Sequence, residues 1–152
     1  MRRTILFPLI SLSMIACTDG TFLHSYKPLP AEGWDIRDTI TFDIPQVQED
    51  LDATLYIGLR TKTNIGIRDI MLAVEQSNED AIVWRCDTVR YPLTDAEGNA
   101  LNKGVNMHQY ETLQIPCYLK KGKQGTIRIH HLMSNEVLTG ITEVGIKIEE
   151  TR

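Results

Sequence analysis

From Ile40 onward the chain is a series of short runs in which apolar and polar residues alternate, and a period of two is the signature of strands that bury one face. Ile40, Phe42 and Ile44 fall on one face of the first run, which Pro45 ends. Leu55, Ile57 and Leu59 share a face of the second, with Tyr56, Arg60 and Lys62 opposite, and Ile70, Leu72 and Val74 mark the third. Ser77-Asn78-Glu79-Asp80 reads as the turn of a hairpin leading into Ala81 to Tyr91, where Ile82, Trp84 and Cys86 align opposite Val83, Arg85 and Asp87. Trp84 is therefore expected in the core. Leu113, Ile115, Cys117 and Leu119 share one face of a run interrupted by Pro116, which predicts an edge or a bulge there. After a turn at Gly122 to Gly125, Ile127, Ile129 and His131 alternate with Arg128 and His130, and Val144, Ile146 and Ile148 close the series. The longest excursion is Thr94 to Met107, and Asn135 to Leu138 offers at most one helical turn.

At least seven such runs in a chain of 152 residues predict an all-β fold, a single antiparallel β-sandwich of jelly-roll or immunoglobulin-like topology. Strands close together in sequence are expected to pair as antiparallel neighbours. Residues Thr18 to Ala31, interrupted by Pro28 and Pro30, read as a tether and an extended entry into the fold. The division that follows is a signal peptide at 1–16, a tether at 17–31 and a sandwich at 32–152.

Upstream of the tether the chain reads MRRTILFPLISLSMIA: Arg2 and Arg3, then an apolar run, then the small Ala16. That is the layout of a secretory signal peptide. The apolar run is shorter than the roughly 20 residues a membrane-spanning helix needs. Met14-Ile15-Ala16-Cys17 resembles a bacterial lipobox, in which the chain is cut before the cysteine and the thiol takes a diacylglycerol. Two or more acyl chains such as palmitate hold a protein at a bilayer without a spanning helix. Membrane lipid, through an acylated Cys17, is thus the first expected partner.

With 16 basic and 20 acidic residues, and no basic stripe, the chain is not expected to bind nucleic acid. Cys86 and Cys117 can pair in an oxidising compartment or remain two buried thiols. Adjacent His130 and His131 point to opposite faces of a strand, so neither they nor the cysteines predict a metal site. Asp95, Glu97 and Asn99 begin a calcium-loop pattern that does not continue. The chain has no nucleophile elbow, phosphate-binding glycine loop or cysteine–histidine pair, so neither catalysis nor a cofactor is expected. Trp34, with Tyr26 and the prolines nearby, either forms an exposed platform, together with Tyr110, or folds back and plugs one end of the sandwich.

The stretch SYKPLPAEGWDIRDTITFDI, Ser25 to Ile44, resembles the segment after the lipidated cysteine in the GldH family of gliding-motility lipoproteins of Bacteroidetes-type bacteria. Leu59-Arg60 with Ile70, Leu72 and Val74, Gly98 to Gly104, His131-Leu132-Met133, and Leu138-Thr139-Gly140-Ile141 before Val144-Gly145-Ile146 agree with it. Asn64-Ile65-Gly66-Ile67-Arg68 departs from the aromatic, proline-containing link of that family. The resemblance implies an envelope lipoprotein, held at the outer membrane, that works with other envelope proteins in gliding and has no known catalysis. The leading expectation is a structural or adaptor component, and the alternative is a lipid-anchored glycan-binding module.

Overall fold

The structure, a computed structural model, describes residues 20–63, 66–78, 82–102, 108–111 and 114–151. The elements among them are strands: β1 (Thr21–Pro28), β2 (Trp34–Asp35), β3 (Ile40–Ile44), β4 (Leu51–Thr61), β5 (Asp69–Asn78), β6 (Val83–Pro92), β7 (His108–Glu111), β8 (Ile115–Leu119), β9 (Gly125–His131), β10 (Val137–Leu138) and β11 (Ile141–Glu150). One sheet runs β1-β11-β4, with β7 and β8 side by side along the far edge of β4, and a second runs β3-β9-β5-β6. A two-stranded ribbon of β2 and β10 lies outside both. All strand pairs are antiparallel.

The chain passes back and forth between the two sheets, so β3, β4 and β5 alternate between them, and among the described strands only β5 and β6 form a hairpin within one sheet. This winding is that of a jelly roll rather than an immunoglobulin domain. Pairing of sequence neighbours is therefore the exception, because each strand must bury one face against the opposite sheet. The core is made of the alternating residues: Ala53, Leu55, Ile57 and Leu59 on β4 and Val144, Ile146 and Ile148 on β11 meet Phe42, Ile70, Leu72, Val74, Ile127 and Ile129 of the second sheet.

Several expectations are corrected. Thr21 to Pro28, expected in the tether, is a strand paired with β11 and so belongs to the sandwich. Its prolines are tolerated because Pro28 ends an edge strand and Pro30 follows it. Asn135 to Leu138 contains no helical turn; Val137 and Leu138 pair with Asp35 and Trp34. On β6 the faces are reversed. Val89 and Tyr91 stand opposite the buried Leu72 and Ile70 of β5, while Cys86 stands outside. Pro116 lies in β8 on the edge of its sheet, as its missing N–H requires.

Strand directions give the sandwich two distinct ends. Thr21, Ile44, Leu51, Asn78, Val83, Leu119, Gly125 and Glu150 lie at one, and Pro28, Ile40, Thr61, Asp69, Pro92, His131 and Ile141 at the other. The first is called the N-terminal end and the second the distal end.

Candidate functional site

At the distal end the β2–β10 ribbon folds Trp34 under the sheets, where it is 0% exposed. Its indole Nε1–H donates to the Asp38 carbonyl at 3.0 Å, and its ring meets the edge of His131 with centroids 5.3 Å apart. The Met133 N–H points at His131 Nδ1 at 3.4 Å, so Nε2 carries the proton and donates to the Trp34 carbonyl at 3.2 Å. Burial pushes the imidazole pKa down, and the nearby His130 adds to that; the Trp34 carbonyl and Asp35 oppose it. Trp34 is thus the plug of one end and has no free face to stack on a sugar.

Tyr26 belongs to the outer face of the first sheet, in register with Gly145 of β11, which in turn faces Gly58 of β4. A Cβ at either glycine would run into the Tyr26 ring, so the two glycines form a trough in which the phenol lies flat. Arg60 covers its other side, with the guanidinium carbon 3.9 Å from the ring centroid, and is itself held by Glu143 at 2.6 Å. Burial raises the phenol pKa, partly offset by Arg60. With glycines below and Arg60 above, Tyr26 is no stacking platform either. Tyr110 sits on β7 opposite Leu59, and its side chain lies outside the described residues, as do Cys17 and the whole of 1–19.

The other candidates are scattered. Cys86 is exposed on the outside of one sheet and Cys117 is buried on the inside of the other, and both are free thiols, so the pairing left open by the sequence is not made. Burial pushes the Cys117 pKa up to about 11. Asp95 accepts the N–H groups of Glu97 and Asn99 and the Asn99 amide, which makes it the cap of a turn. Asp69, Asp87, Glu75 and Glu143 each hold an arginine at 2.6–2.8 Å.

The N-terminal end is open instead of plugged. Between β5 and β6 the register slips: Gln76 faces Arg85 and Ser77 faces Val83, leaving Trp84 as the extra residue of a bulge. The bulge turns Trp84 toward the gap between the sheets, yet it stays 47% exposed. It forms the rim of a cleft of about 360 Å³ whose walls include Gln76, Cys117, Leu119, Ile127 and Lys120. Gln76, 2% exposed, donates through Nε2 to the Pro116 carbonyl at 3.0 Å, and its Oε1 is buried without a partner. Trp84, placed in the core by the period-two pattern, is thus the most exposed aromatic of this end. The one hint of it in the sequence is the preceding Ala81, Ile82 and Val83, which with Trp84 make an apolar run of four where a strand with one wet face should alternate.

A family model described as GldH lipoprotein matches residues 21–148, from the first residue of β1 to within β11. A curated relative, the gliding motility lipoprotein GldH of Flavobacterium johnsoniae, is 24% identical over 149 residues, covering 93% of this chain and 92% of the relative. Among solved structures, a family GH115 4-O-methyl-α-glucuronidase with specificity for decorated arabinogalactans is similar at a TM-score of 0.44 and 12% identity, over 100% of this chain and 20% of that one. A CocE/NonD family hydrolase from Staphylococcus aureus follows at 0.39 and 8%, over 86% of this chain and 31% of that one. The chain spans only a fifth and about a third of those two enzymes, and at these scores neither likeness bears on function.

Proposed function

Because the chain belongs to the GldH lipoprotein family, we propose that it is an envelope lipoprotein, anchored through an acylated Cys17 in the outer membrane, that serves as a non-catalytic structural or adaptor component of a gliding or related envelope assembly. The observation that carries this reading is the extent of the match. It covers the folded body from Thr21, which starts four residues after the lipobox-like cysteine, and the gliding-motility relative aligns along nearly its whole length. The absence of catalysis is supported by how the carboxylates are used. Asp69, Glu75, Asp87 and Glu143 on the sheet faces are each paired with an arginine, and Asp95 is committed to a turn. An adaptor also needs a surface. Ile36, Leu132 and Val137 protrude at the distal end, where the Ile36 N–H joins the Glu136 carbonyl at 2.7 Å and brings β2 and β10 together.

The glycan-binding alternative loses two of its three aromatics, since Trp34 is enclosed and Tyr26 is covered on both faces. The test of the adaptor reading is a pull-down of the native protein from detergent-solubilised membranes, compared with Cys17→Ala. The native form should fractionate with membranes and bring envelope proteins with it. A Cys17→Ala form that stays in the membrane and keeps the same partners overturns it.

A further inference from the structure

The N-terminal end is not only open; it is the end that an anchored Cys17 holds near the bilayer. The Gly20 carbonyl accepts the Glu150 N–H at 2.9 Å, so Gly20 is already part of the sheet. Three Cα steps, about 11 Å at most, separate it from Cys17. That length forbids the body from standing off the membrane on a free linker. Trp84 shares a recess with Asp52 and Thr151, and the Thr151 N–H bonds the Asp52 carbonyl next to the Gly20–Glu150 pair. The β8–β9 turn is tied to the same end, with the Gly122 N–H on the Val47 carbonyl and Lys121 bridged to Val47.

This end exposes the residue types that favour a lipid–water interface. Ile82 is 60% exposed, and Val83, Trp84 and Tyr118 are each more than two-fifths exposed. Lys120, Lys121 and Lys123 stand on the adjoining turn. Indole and phenol rings settle at the headgroup level with their polar atoms in water, and lysine stems lie along apolar surface while the ammonium reaches out. Among the described residues, by contrast, the large apolar side chains exposed around Trp34 at the distal end, Ile36, Met71, Leu132 and Val137, include no aromatic.

Resting on the anchored reading above, we infer that the N-terminal end is a membrane-docking face: Ile82, Val83 and Trp84 enter the headgroup region of the leaflet that holds Cys17, and the lysines lie at its surface. The sandwich therefore sits on the bilayer in one orientation, with the Trp34 end outward. Asp50, Asp52 and Glu150 balance the three lysines at this end, so apolar insertion and not net charge carries the contact. The Tyr118 hydroxyl keeps its place by donating to Asp50 at 2.9 Å.

The test uses the full lipoprotein reconstituted in phosphatidylethanolamine–phosphatidylglycerol vesicles, with and without brominated acyl chains, and Trp84→Phe beside it. Trp34 is enclosed and silent to both quenchers, so the difference between the two forms reports Trp84. Docking predicts that bromolipid quenches the Trp84 signal and that iodide quenching in the aqueous phase is lost on the vesicle. Protein that floats with the vesicles while Trp84 remains open to iodide and deaf to bromolipid overturns the docking face and leaves the cleft to a protein partner. Failure to float at all overturns the anchor itself, and the docking face with it.

Discussion

The two tryptophans mark the two ends of one jelly roll, and they are used in opposite ways. Trp34 is closed in by its own backbone ribbon, has its indole N–H bonded and fits edge-on to His131. Trp84 stands half in water on a bulge, beside a glutamine whose buried oxygen has no partner. A residue that closes a core needs packing on every side; one that meets something else has to leave a side open. The distal end is thus closed by its own packing, and the N-terminal end carries the features that packing alone does not explain.

The sharpest way to break this contrast is to truncate both indoles. Trp34→Ala should cost about 3–5 kcal/mol, the usual range for removing a large buried aromatic. Trp84→Ala, away from the core, should change stability by about 0.5 kcal/mol. Urea denaturation of the two forms measures this, and equal losses would dissolve the distinction. Next in size is the glycine trough between the ends. Gly145→Ala should cost about 1–3 kcal/mol because the added methyl meets the Tyr26 ring, and the cost should shrink in the Gly145→Ala, Tyr26→Ala double form. At the open end, Gln76→Leu should lie within about 1 kcal/mol of the parent, since it removes an unpaired acceptor along with one hydrogen bond.

The pH dependence separates the ends as well. His131 is neutral in the fold with a pKa pushed below its ordinary 6.5, so above that value both states are neutral and it contributes no slope. As pH falls below 6.5 the unfolded chain takes up a proton before the folded one does, and stability drops until the folded-state pKa is passed. His131→Gln should flatten that drop relative to the parent, whatever the exposed carboxylates contribute to both. The smallest effect is chemical: native protein should be alkylated at Cys86, while Cys117, buried with its pKa near 11, reacts only after unfolding.

Which residues alternate could be read from the sequence, and β3, β4, β5, β8, β9 and β11 follow that reading closely. What alternation leaves open is the partner of each strand, because a period of two specifies a face and nothing about which neighbour carries the hydrogen bonds. Hence the crossings between sheets were not visible, and β3 and β4 turn out to face one another from opposite sheets. β1 was hidden by its flanking prolines, although an edge strand accommodates Pro28 without loss. On β6 the pattern points to the wrong face, because Ile82 and Trp84 look like core residues. A bulge, which no local pattern announces, moves Trp84 out of the alternation. Of the site candidates, the plugging role of Trp34 was one of two readings, and Tyr26 gave no sign of its glycine trough, since Gly58 and Gly145 are 87 residues apart in sequence.

The role of the N-terminal end depends on where the chain is attached. The direct measurement is the mass of the N-terminal peptide of the protein purified from membranes in detergent. Lipid anchoring predicts a peptide that begins at Cys17 and carries the mass of a diacylglycerol, with or without a further acyl chain on its amine. A mature chain that retains residues before Cys17, or one that begins at Cys17 with a bare thiol, would contradict it.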